Sequence, residues 1–248
     1  MLTEKRFLEV LNLVNSHGTI GVQDLAKLLN VSESTIRRDI VALHDMGKLR
    51  KIYGGATSLE SITITKDDSV TDREIRNLDE KLHIAQAAAS LILPDDFVYI
   101  DAGTTTAILT EQIVPSGAIF VTNAIPHAKT LAWKGCKVYL LGGRLKLITD
   151  AIIGGKAIEE LLQYRFTKGF FGANGISIAS GYSTPDIEEA AVKRRAFLQC
   201  QKAYVLADSS KFGVVSSISY ASFHDANIIT TSLCDATFRS MANIIEIK

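Results

Sequence analysis

The chain has 248 residues, 47% of them hydrophobic, which is enough to fill the cores of one small and one larger domain. Basic and acidic residues number 27 each, so no overall charge points to a nucleic-acid or membrane partner. No apolar run approaches the roughly 18 residues that span a bilayer, and three scattered cysteines have no metal-ligand spacing. The N-terminus is amphipathic and bears acidic residues, so it is not a secretory signal. We therefore expect a cytoplasmic protein without membrane segment, metal or cofactor.

Charge is distributed unevenly along the chain. Residues 1–57 hold eight basic and six acidic residues, a net charge of +2, whereas residues 58–80 hold three and seven, a net charge of −4. An N-terminal segment with so small a positive charge would make few contacts with phosphate groups. If it binds nucleic acid, we expect a homodimer or homotetramer, because assembly multiplies those contacts.

Two short amphipathic helices are predicted over residues 3–16 and 21–29, because hydrophobic residues recur there at helical spacing. A tight turn at Asn30 and Val31 leads into a third helical segment that extends to Met46. The helix at 21–29 and this third segment, joined by a tight turn, are a candidate helix-turn-helix motif. The alternative is a fragment of an ordinary three-helix bundle.

The third segment has two chemically distinct faces. Ser32 is a natural helix N-cap, and Ile36, Ile40 and Leu43 share the face that would pack inward. The opposite face carries hydroxyl and guanidinium groups, at Ser34, Arg37 and Arg38. A helix of this kind fits the major groove of DNA.

Basic and apolar residues alternate directly after this helix and end at a Gly-Gly turn, over residues 48–56. The pattern predicts a hairpin-like wing whose exposed groups contact phosphates or a minor groove, rather than a solvated connector. The predicted DNA contacts are Ser32, Ser34, Thr35, Arg37, Arg38, Lys48, Arg50, Lys51 and Tyr53.

The stretch VSESTIRRDIVALHDMGKLRKIYGGA, from Val31 to Ala56, resembles the winged helix-turn-helix of the DeoR family of bacterial sugar-metabolism regulators. The matching positions are Val31, Ser32, Thr35, Ile36, Arg37, Arg38, Asp39, Gly54, Gly55 and Ala56. The resemblance implies a transcriptional regulator that binds a double-stranded DNA operator.

The remainder of the chain divides into a linker and a larger domain. Residues 58–79 are polar and acidic. A helix is predicted over residues 80–93, with Leu82, Ala85, Ala89 and Ile92 at helical spacing on its inner face. We therefore expect a winged helix-turn-helix domain at 1–57, a linker at 58–79 and an effector-binding α/β domain at 80–248.

Short apolar runs alternate with helical segments from residue 97 onwards. Strands are predicted at 97–100, 118–122, 137–141, 169–172, 202–206 and 227–231. Helices are predicted near 105–113, 125–133, 155–163, 186–199 and 235–242. This alternation favours an α/β fold with a mostly parallel sheet and helices on both faces, in which ligands bind beyond the carboxyl ends of the strands.

Polar or glycine-rich residues follow five of these strands, which favours a shared pocket over unrelated turns. The first group, Asp101 to Thr106, enters a helix and offers backbone amides to an anion, although a plain capped turn has the same sequence. Farther on, Glu189 and Lys193 are four residues apart on one helical face. Such a pair is usually a solvated surface ion pair, and a ligand role is the alternative.

The segments DAGTTT, VTN, LLGG, FFGANGI, GYST with EAAVK, and ADSSKFG, within residues 75–231, resemble the landmarks of the DeoR-family C-terminal domain. That domain is similar in fold to ribose-5-phosphate isomerase and binds a phosphorylated sugar or a related intermediate. The resemblance implies effector contacts at Asp101, Gly103, Thr104, Thr105, Asn123, Gly143, Thr184, Glu189, Lys193, Asp208 and Lys211.

Three functions agree with these features. The first is a repressor of a carbohydrate catabolic operon that a phosphorylated sugar releases from its operator. The second is a sugar-phosphate isomerase or deaminase with a DNA-binding head, in which Asp101, Glu189 or Asp208 acts as general base. The third is a transcriptional activator, because the sequence does not encode the sign of regulation. The complete DNA-reading head favours a transcriptional regulator over an enzyme, and among regulators we expect a repressor.

Overall fold

The structure is a computed structural model that describes residues 3–17, 19–52, 54–58, 63–64, 75–231, 233 and 236–247. The chain forms two compact units, which comprise residues 1–63 with 213–215 and residues 64–212 with 216–248. Among the described residues, no helix is both long and apolar enough to cross a membrane.

The first unit combines a helical cluster with a small antiparallel sheet, and the predicted helix-turn-helix and wing are confirmed. Its helices are α1 (Thr3–His17), α2 (Val22–Leu29) and α3 (Glu33–Asp45). Its strands are β1 (Thr19–Gly21), β2 (Arg50–Ile52) and β3 (Gly55–Thr57), followed along the chain by β4 (Thr63–Ile64). The sheet has the order β1-β3-β2, so the wing hairpin of β2 and β3 is extended by β1.

Local sequence explains how α3 begins. Asn30 adopts a left-handed conformation with φ of 51°, which ends α2 and permits the tight turn. The Ser32 hydroxyl then accepts a hydrogen bond from the Thr35 amide at 3.2 Å. The inner face of α3, formed by Ile36, Ile40 and Leu43, is buried against the other helices.

The second unit is built around one large sheet. Its helices are α4 (Leu78–Ser90), α5 (Thr104–Gln112), α6 (Ile125–Trp133), α7 (Gly155–Leu161), α8 (Ile187–Leu198) and α9 (Ala236–Arg239). Its strands are β5 (Phe97–Ile100), β6 (Ile119–Thr122), β7 (Lys137–Leu140), β8 (Arg144–Lys146), β9 (Ala151–Ile153), β10 (Phe166–Gly172), β11 (Gly175–Ser177), β12 (Gly181–Thr184), β13 (Cys200–Leu206), β14 (Val215–Ser216), β15 (Ile218–Ala221), β16 (Asn227–Thr230) and β17 (Ile244–Glu246).

Seven of these strands form a parallel sheet in the order β17-β16-β13-β10-β5-β6-β7. The chain runs outward from β5 to β7, returns to place β10 on the other side of β5, and then runs outward again to β17. Between β5 and β10 the winding direction therefore reverses. In open parallel sheets a ligand crevice lies at such a point, beyond the carboxyl ends of the strands.

The predicted α/β fold is confirmed, with differences in detail. All six predicted strands are present, β5 with the predicted bounds and the other five with shifted ends, and β17 is a seventh that was not predicted. Two antiparallel additions were not predicted either: the β8-β9 hairpin and a three-stranded sheet in the order β11-β12-β15. Helix α4 runs over residues 78–90 rather than 80–93 and buries Lys81, Ile84, Ala85 and Ala88, a face different from the predicted one.

Candidate functional site

The exposed face of α3 carries the polar groups that the sequence predicted. The hydroxyl of Ser32 lies 2.9 Å from both the Ser34 and the Thr35 hydroxyls, so the three form a cluster at the start of the helix. Arg37 pairs with Glu33 at 3.2 Å, an exposed contact one helical turn apart. Arg38 has no hydrogen-bond or ion-pair partner among the residues that the structure describes, and it faces solvent.

The wing adds further cations to this unit. Lys48, Arg50 and Lys51 are exposed, and none has a polar partner within the described part of the chain. Tyr53, also a predicted contact, lies outside the described residues. Unpaired cations on a reading helix and on its wing can meet phosphates without first breaking an internal contact.

Behind this face, Asp39 holds α1 against α3. Its carboxylate accepts from Arg6 Nε at 2.5 Å and from Nη2 at 2.9 Å, and the aspartate is 4% exposed. This two-point contact orients the guanidinium. The aspartate of the TIRRD stretch is therefore part of the scaffold, whereas the two arginines before it face outward.

The second unit contains a cavity at the carboxyl edge of the parallel sheet, where β5 and β10 end. It is lined by the segments that follow β5, β6, β10 and β13, by α8 and by the start of α4. The charged residues among the described lining are Arg76, Lys81, Asp150, Glu189, Lys193, Asp208 and Lys211. Glycine and hydroxyl groups of the lining include Gly103, Thr104, Thr105, Thr149, Gly172 and Ser210.

A buried ion pair lies beneath the cavity floor. Lys193 Nζ donates to Asp101 Oδ2, which also accepts from the Gly172 amide at 3.1 Å. Burial raises the pKa of Asp101, and the Lys193 charge and hydrogen bond oppose that rise. The Tyr220 hydroxyl donates to the Gly172 carbonyl at 2.9 Å, and its ring lies 5.9 Å from Lys193 Nζ.

Glu189 and Lys193 do not form the solvated surface pair that their spacing suggested. They are 8% and 5% exposed, and each has a different partner. Glu189 accepts from Lys146 Nζ at 2.9 Å and from the Thr149 hydroxyl at 2.6 Å. The two side chains therefore tie α8 to the cavity wall and to the cavity floor, respectively.

Two features of the cavity suit an anion. Helix α5 begins at Thr104 without a side-chain cap, so no side chain competes for its first-turn amides. Lys211 lies in a short helical turn, residues 209–211, that follows Asp208. Burial alone would raise the pKa of Asp208, but the Lys211 charge and hydrogen bonds from Ser210 and Asn77 together lower it.

His127, in the first turn of α6, also lines the cavity and is 5% exposed. Burial lowers its pKa from 6.5 to about 4, the Gly103 carbonyl opposes the shift, and the Lys193 charge adds to it. The imidazole is therefore neutral at physiological pH. Its Nε2 lies 3.1 Å from the Thr106 hydroxyl.

Seven of the eleven predicted effector residues line the cavity within the described chain: Gly103, Thr104, Thr105, Glu189, Lys193, Asp208 and Lys211. Asp101 and Thr184 lie behind the lining, where Thr184 donates to Asn174 at 3.2 Å. Asn123 is buried and bonds to Tyr99, to the Ala102 amide and to the Ile152 carbonyl, so it positions the loops.

Gly143 is not brought to the cavity. It packs against β9, where an added Cβ would lie 2.7 Å from the Ile153 carbonyl oxygen. Several residues of the cavity lining were not predicted from the sequence: Arg76, Lys81, His127, Thr149, Asp150 and Asn174. For Lys81 a signal was present, because a lysine stands at helical spacing in the apolar stripe of Ile84, Ala85 and Ala88.

Both parts of the chain match known families. Residues 6–62 match the DeoR-like helix-turn-helix domain, and residues 76–232 match the DeoR C terminal sensor domain. The chain belongs to the DeoR family. This DeoR-family protein is a DNA-binding transcriptional regulator, as its helix-turn-helix and its relatives indicate.

Several full-length relatives are regulators. The chain is 42% identical over 239 residues to a protein described as the uncharacterized HTH-type transcriptional regulator FruR of Bacillus subtilis, covering 96% of this chain and 94% of that one. It is 34% identical to the lactose phosphotransferase system repressor of Streptococcus mutans, covering 95% and 93%. The HTH-type transcriptional regulator IolR of Bacillus subtilis is 33% identical, covering 92% and 90%.

A solved structure of ribose 5-phosphate isomerase A from Methanocaldococcus jannaschii aligns with 55% of this chain and 55% of its own. The TM-score is 0.40 and the sequence identity 14%, too distant a match to support a statement about function.

Proposed function

We propose that this regulator represses a carbohydrate catabolic operon, as a homodimer or homotetramer, and leaves its operator when a phosphorylated sugar binds the cavity. The observation that carries the proposal is the set of cationic side chains and the uncapped helix N-terminus around one cavity at the edge of the sheet. The lactose phosphotransferase system repressors among the relatives support the carbohydrate assignment.

The charges of the cavity favour one phosphate rather than two. Four cationic and three acidic residues line it within the described chain, so its net charge is +1 while His127 is neutral. A second phosphate would meet the carboxylates of Asp150 or Glu189, which instead suit hydroxyl groups. A monophosphorylated sugar therefore satisfies both kinds of group.

A phosphorylated sugar is expected to bind at least about 100-fold more tightly than the same sugar without phosphate, a difference of roughly 2.7 kcal/mol. Charge-assisted hydrogen bonds are roughly twice as strong as neutral ones, and Lys211 and the α5 amides supply them. Calorimetric titration of four hexose phosphates (glucose 6-, galactose 6-, fructose 1- and fructose 6-phosphate) and of the free sugars measures the difference. Lys211→Ala should cost the phosphate more affinity than the free sugar.

Equal affinity for a sugar and its phosphate would contradict this selectivity. Repeating the titrations with operator DNA, enriched by the protein from a random duplex pool, tests release from DNA. Linkage requires effector and operator to weaken each other by the same factor. Turnover of any panel member to an isomer would instead support the enzymatic alternative.

Arg38→Ala is expected to weaken operator binding by about 1–3 kcal/mol, because Arg38 is an unpaired, exposed guanidinium on the outer face of α3 that can read a guanine edge. Fluorescence anisotropy with the enriched operator measures the loss. Hexose phosphate affinity in the absence of DNA is the control and should not change. A folded variant with wild-type operator affinity would show that Arg38 does not contact the base edges.

Lys51→Ala is expected to act differently, by weakening binding to every sequence alike and lowering the salt slope by about one unit. Lys51 lies in the wing, where a cation meets phosphate rather than base edges. Binding to operator and to scrambled duplex at several salt concentrations measures both effects. A loss confined to the operator would show that Lys51 contributes to base recognition.

A homodimer or homotetramer is expected because one head with a net charge of +2 makes few contacts for tight specific binding. Operator half-sites should then be repeated with the symmetry of the assembly. Sedimentation of the free protein and of its operator complex measures the assembly. Full operator affinity from a monomer at micromolar concentration would overturn this part of the proposal.

A further inference from the structure

His127 is a buried polar residue of the cavity that no sequence motif identified. It lies in the first turn of α6, directly beyond the carboxyl end of β6, and its side chain lines the cavity although it is only 5% exposed. A polar side chain in such a place needs a hydrogen-bond partner for each of its polar atoms.

Neighbouring groups fix which ring nitrogen carries the proton. The Thr106 hydroxyl lies 2.6 Å from the Asp101 carbonyl oxygen and 2.9 Å from the Gly103 carbonyl oxygen, both of which can only accept. The hydroxyl proton is therefore committed to a carbonyl. It follows that the 3.1 Å contact between Thr106 and His127 has Nε2 of the ring as the donor.

A neutral imidazole that carries its proton on Nε2 presents Nδ1 as an acceptor. Among the described residues, Nδ1 of His127 has no hydrogen-bond partner, and the same is true of the buried Oδ1 of Asp101. Both orphaned atoms are acceptors. Since an unmet buried acceptor is costly, Nδ1 of His127 calls for a hydrogen-bond donor, which a phosphate dianion does not supply.

We propose that Nδ1 of His127 accepts a hydrogen bond from a hydroxyl group of the bound sugar and so selects a polyhydroxy ligand over a bare phosphate. This inference rests on the proposed function, because it takes the effector to be a phosphorylated sugar. It assigns the two ends of the ligand: phosphate towards Lys211 and the α5 amides, hydroxyl groups towards His127.

Two substitutions separate this role from a structural one. Glutamine places its amide near the position of Nε2 and can keep the contact with Thr106, but it lacks the acceptor at Nδ1. Asparagine places its amide oxygen near the position of Nδ1 and loses the contact with Thr106. A ligand contact therefore predicts that asparagine substitutes better than glutamine, and a purely structural role predicts the reverse.

The test titrates wild type, His127→Gln and His127→Asn with inorganic phosphate and with the hexose phosphate that binds wild type most tightly of the four. We expect His127→Gln to lose about 10-fold in affinity for the hexose phosphate, the factor that one hydrogen bond supplies. Its affinity for inorganic phosphate should stay within about twofold, and His127→Asn should stay within about threefold for both ligands.

Deoxy analogues of that hexose phosphate give a readout that does not depend on the folding of a variant. One analogue should bind wild type about 10-fold more weakly than the parent sugar, since it lacks the hydroxyl that meets Nδ1. The same analogue and the parent should bind His127→Gln about equally, which closes a double-mutant cycle.

Equal losses for hexose phosphate and inorganic phosphate in His127→Gln, or a larger loss in His127→Asn, would overturn the assignment. So would a set of deoxy analogues that all bind wild type as tightly as the parent. If none of the hexose phosphates binds wild type, the proposed function fails together with this inference. If they bind and the variants behave like wild type, only this inference fails.

Discussion

Replacement of Lys193 by methionine is expected to lower the free energy of unfolding of the α/β unit by about 3–5 kcal/mol at pH 7. The substitution keeps the length of the side chain but leaves the Asp101 carboxylate, 0% exposed, without its cation. The Gly172 amide would remain as the one described donor to that carboxylate, which does not replace a charge. Urea denaturation followed by circular dichroism measures the loss.

The loss should also depend on pH. Burial already raises the pKa of Asp101, and Lys193 opposes the rise, so the pKa rises further in the variant. A carboxyl group with a raised pKa binds more protons in the folded state than in the unfolded state. Stability then falls as pH increases from the unfolded pKa, about 3.9, up to the folded one, so the deficit is smaller at pH 4 than at pH 7.

Lys129→Met provides the matched control, because Lys129 is an exposed lysine of α6 and has no polar partner in the described chain. It should change stability by less than about 0.5 kcal/mol at either pH. Adding Asp101→Asn to Lys193→Met should recover part of the loss at pH 7, since the buried charge is then gone. A deficit that is the same at pH 4 and pH 7 would argue against an unpaired carboxylate as its cause.

The DNA-reading unit was predictable from sequence because its determinants are local. An N-cap, a left-handed asparagine and one apolar stripe define α3, and all lie within 16 residues of each other. The role of Asp39 was not predictable in the same way. Its partner, Arg6, is 33 residues away in the chain, and only the packing of α1 against α3 brings the two side chains together.

The α/β unit was predictable where strands are buried and less so at the edges. Strand β5 is a continuous apolar run and β13 ends in one, whereas β17 has three partly or fully exposed residues and the hairpin strand β8 is charged at both ends. The alternation of strands and helices along the sequence also did not predict the order of the strands in the sheet. The alternation predicts that carboxyl ends converge, but not that β10 lies beside β5 and brings Gly172 to Asp101.

Most of the predicted cavity residues directly follow strands, whereas several of the missed ones lie on helices or on the loop before a helix. His127 and Lys81 enter the cavity from α6 and α4, and Arg76 from the residues just before α4. Their positions depend on which face of each helix turns inward. For α4 that face was predicted incorrectly, because Leu82 and Ala89 are only partly buried.

Gly55→Ala is expected to reduce operator affinity by at least about 1,000-fold, the lower end of the difference between specific and non-specific DNA binding. Gly55 lies in β3, the middle strand of the wing sheet. A Cβ there would stand 2.3 Å from the Ile20 carbonyl oxygen and 3.1 Å from the Gly21 Cα, both backbone atoms of β1. Backbone atoms cannot rotate away, so β1 and β3 must separate.

Separation of these strands removes the support of the wing that carries Arg50 and Lys51. It also loosens the contact between Gly54 and the start of α2, where the Val22 amide donates to the Gly54 carbonyl at 2.9 Å.

Gly54→Ala is the matched control. Its Cβ would meet nothing within 4 Å, and only its φ of +80° is unfavourable, at a cost of about 1–2 kcal/mol of stability. Anisotropy titrations with the enriched operator compare the two variants. Hexose phosphate affinity measured without DNA should be that of wild type in both, because Gly55 belongs to the first unit and the cavity to the second. If Gly55→Ala binds operator no more weakly than Gly54→Ala, close approach of β1 to β3 is not what the wing requires.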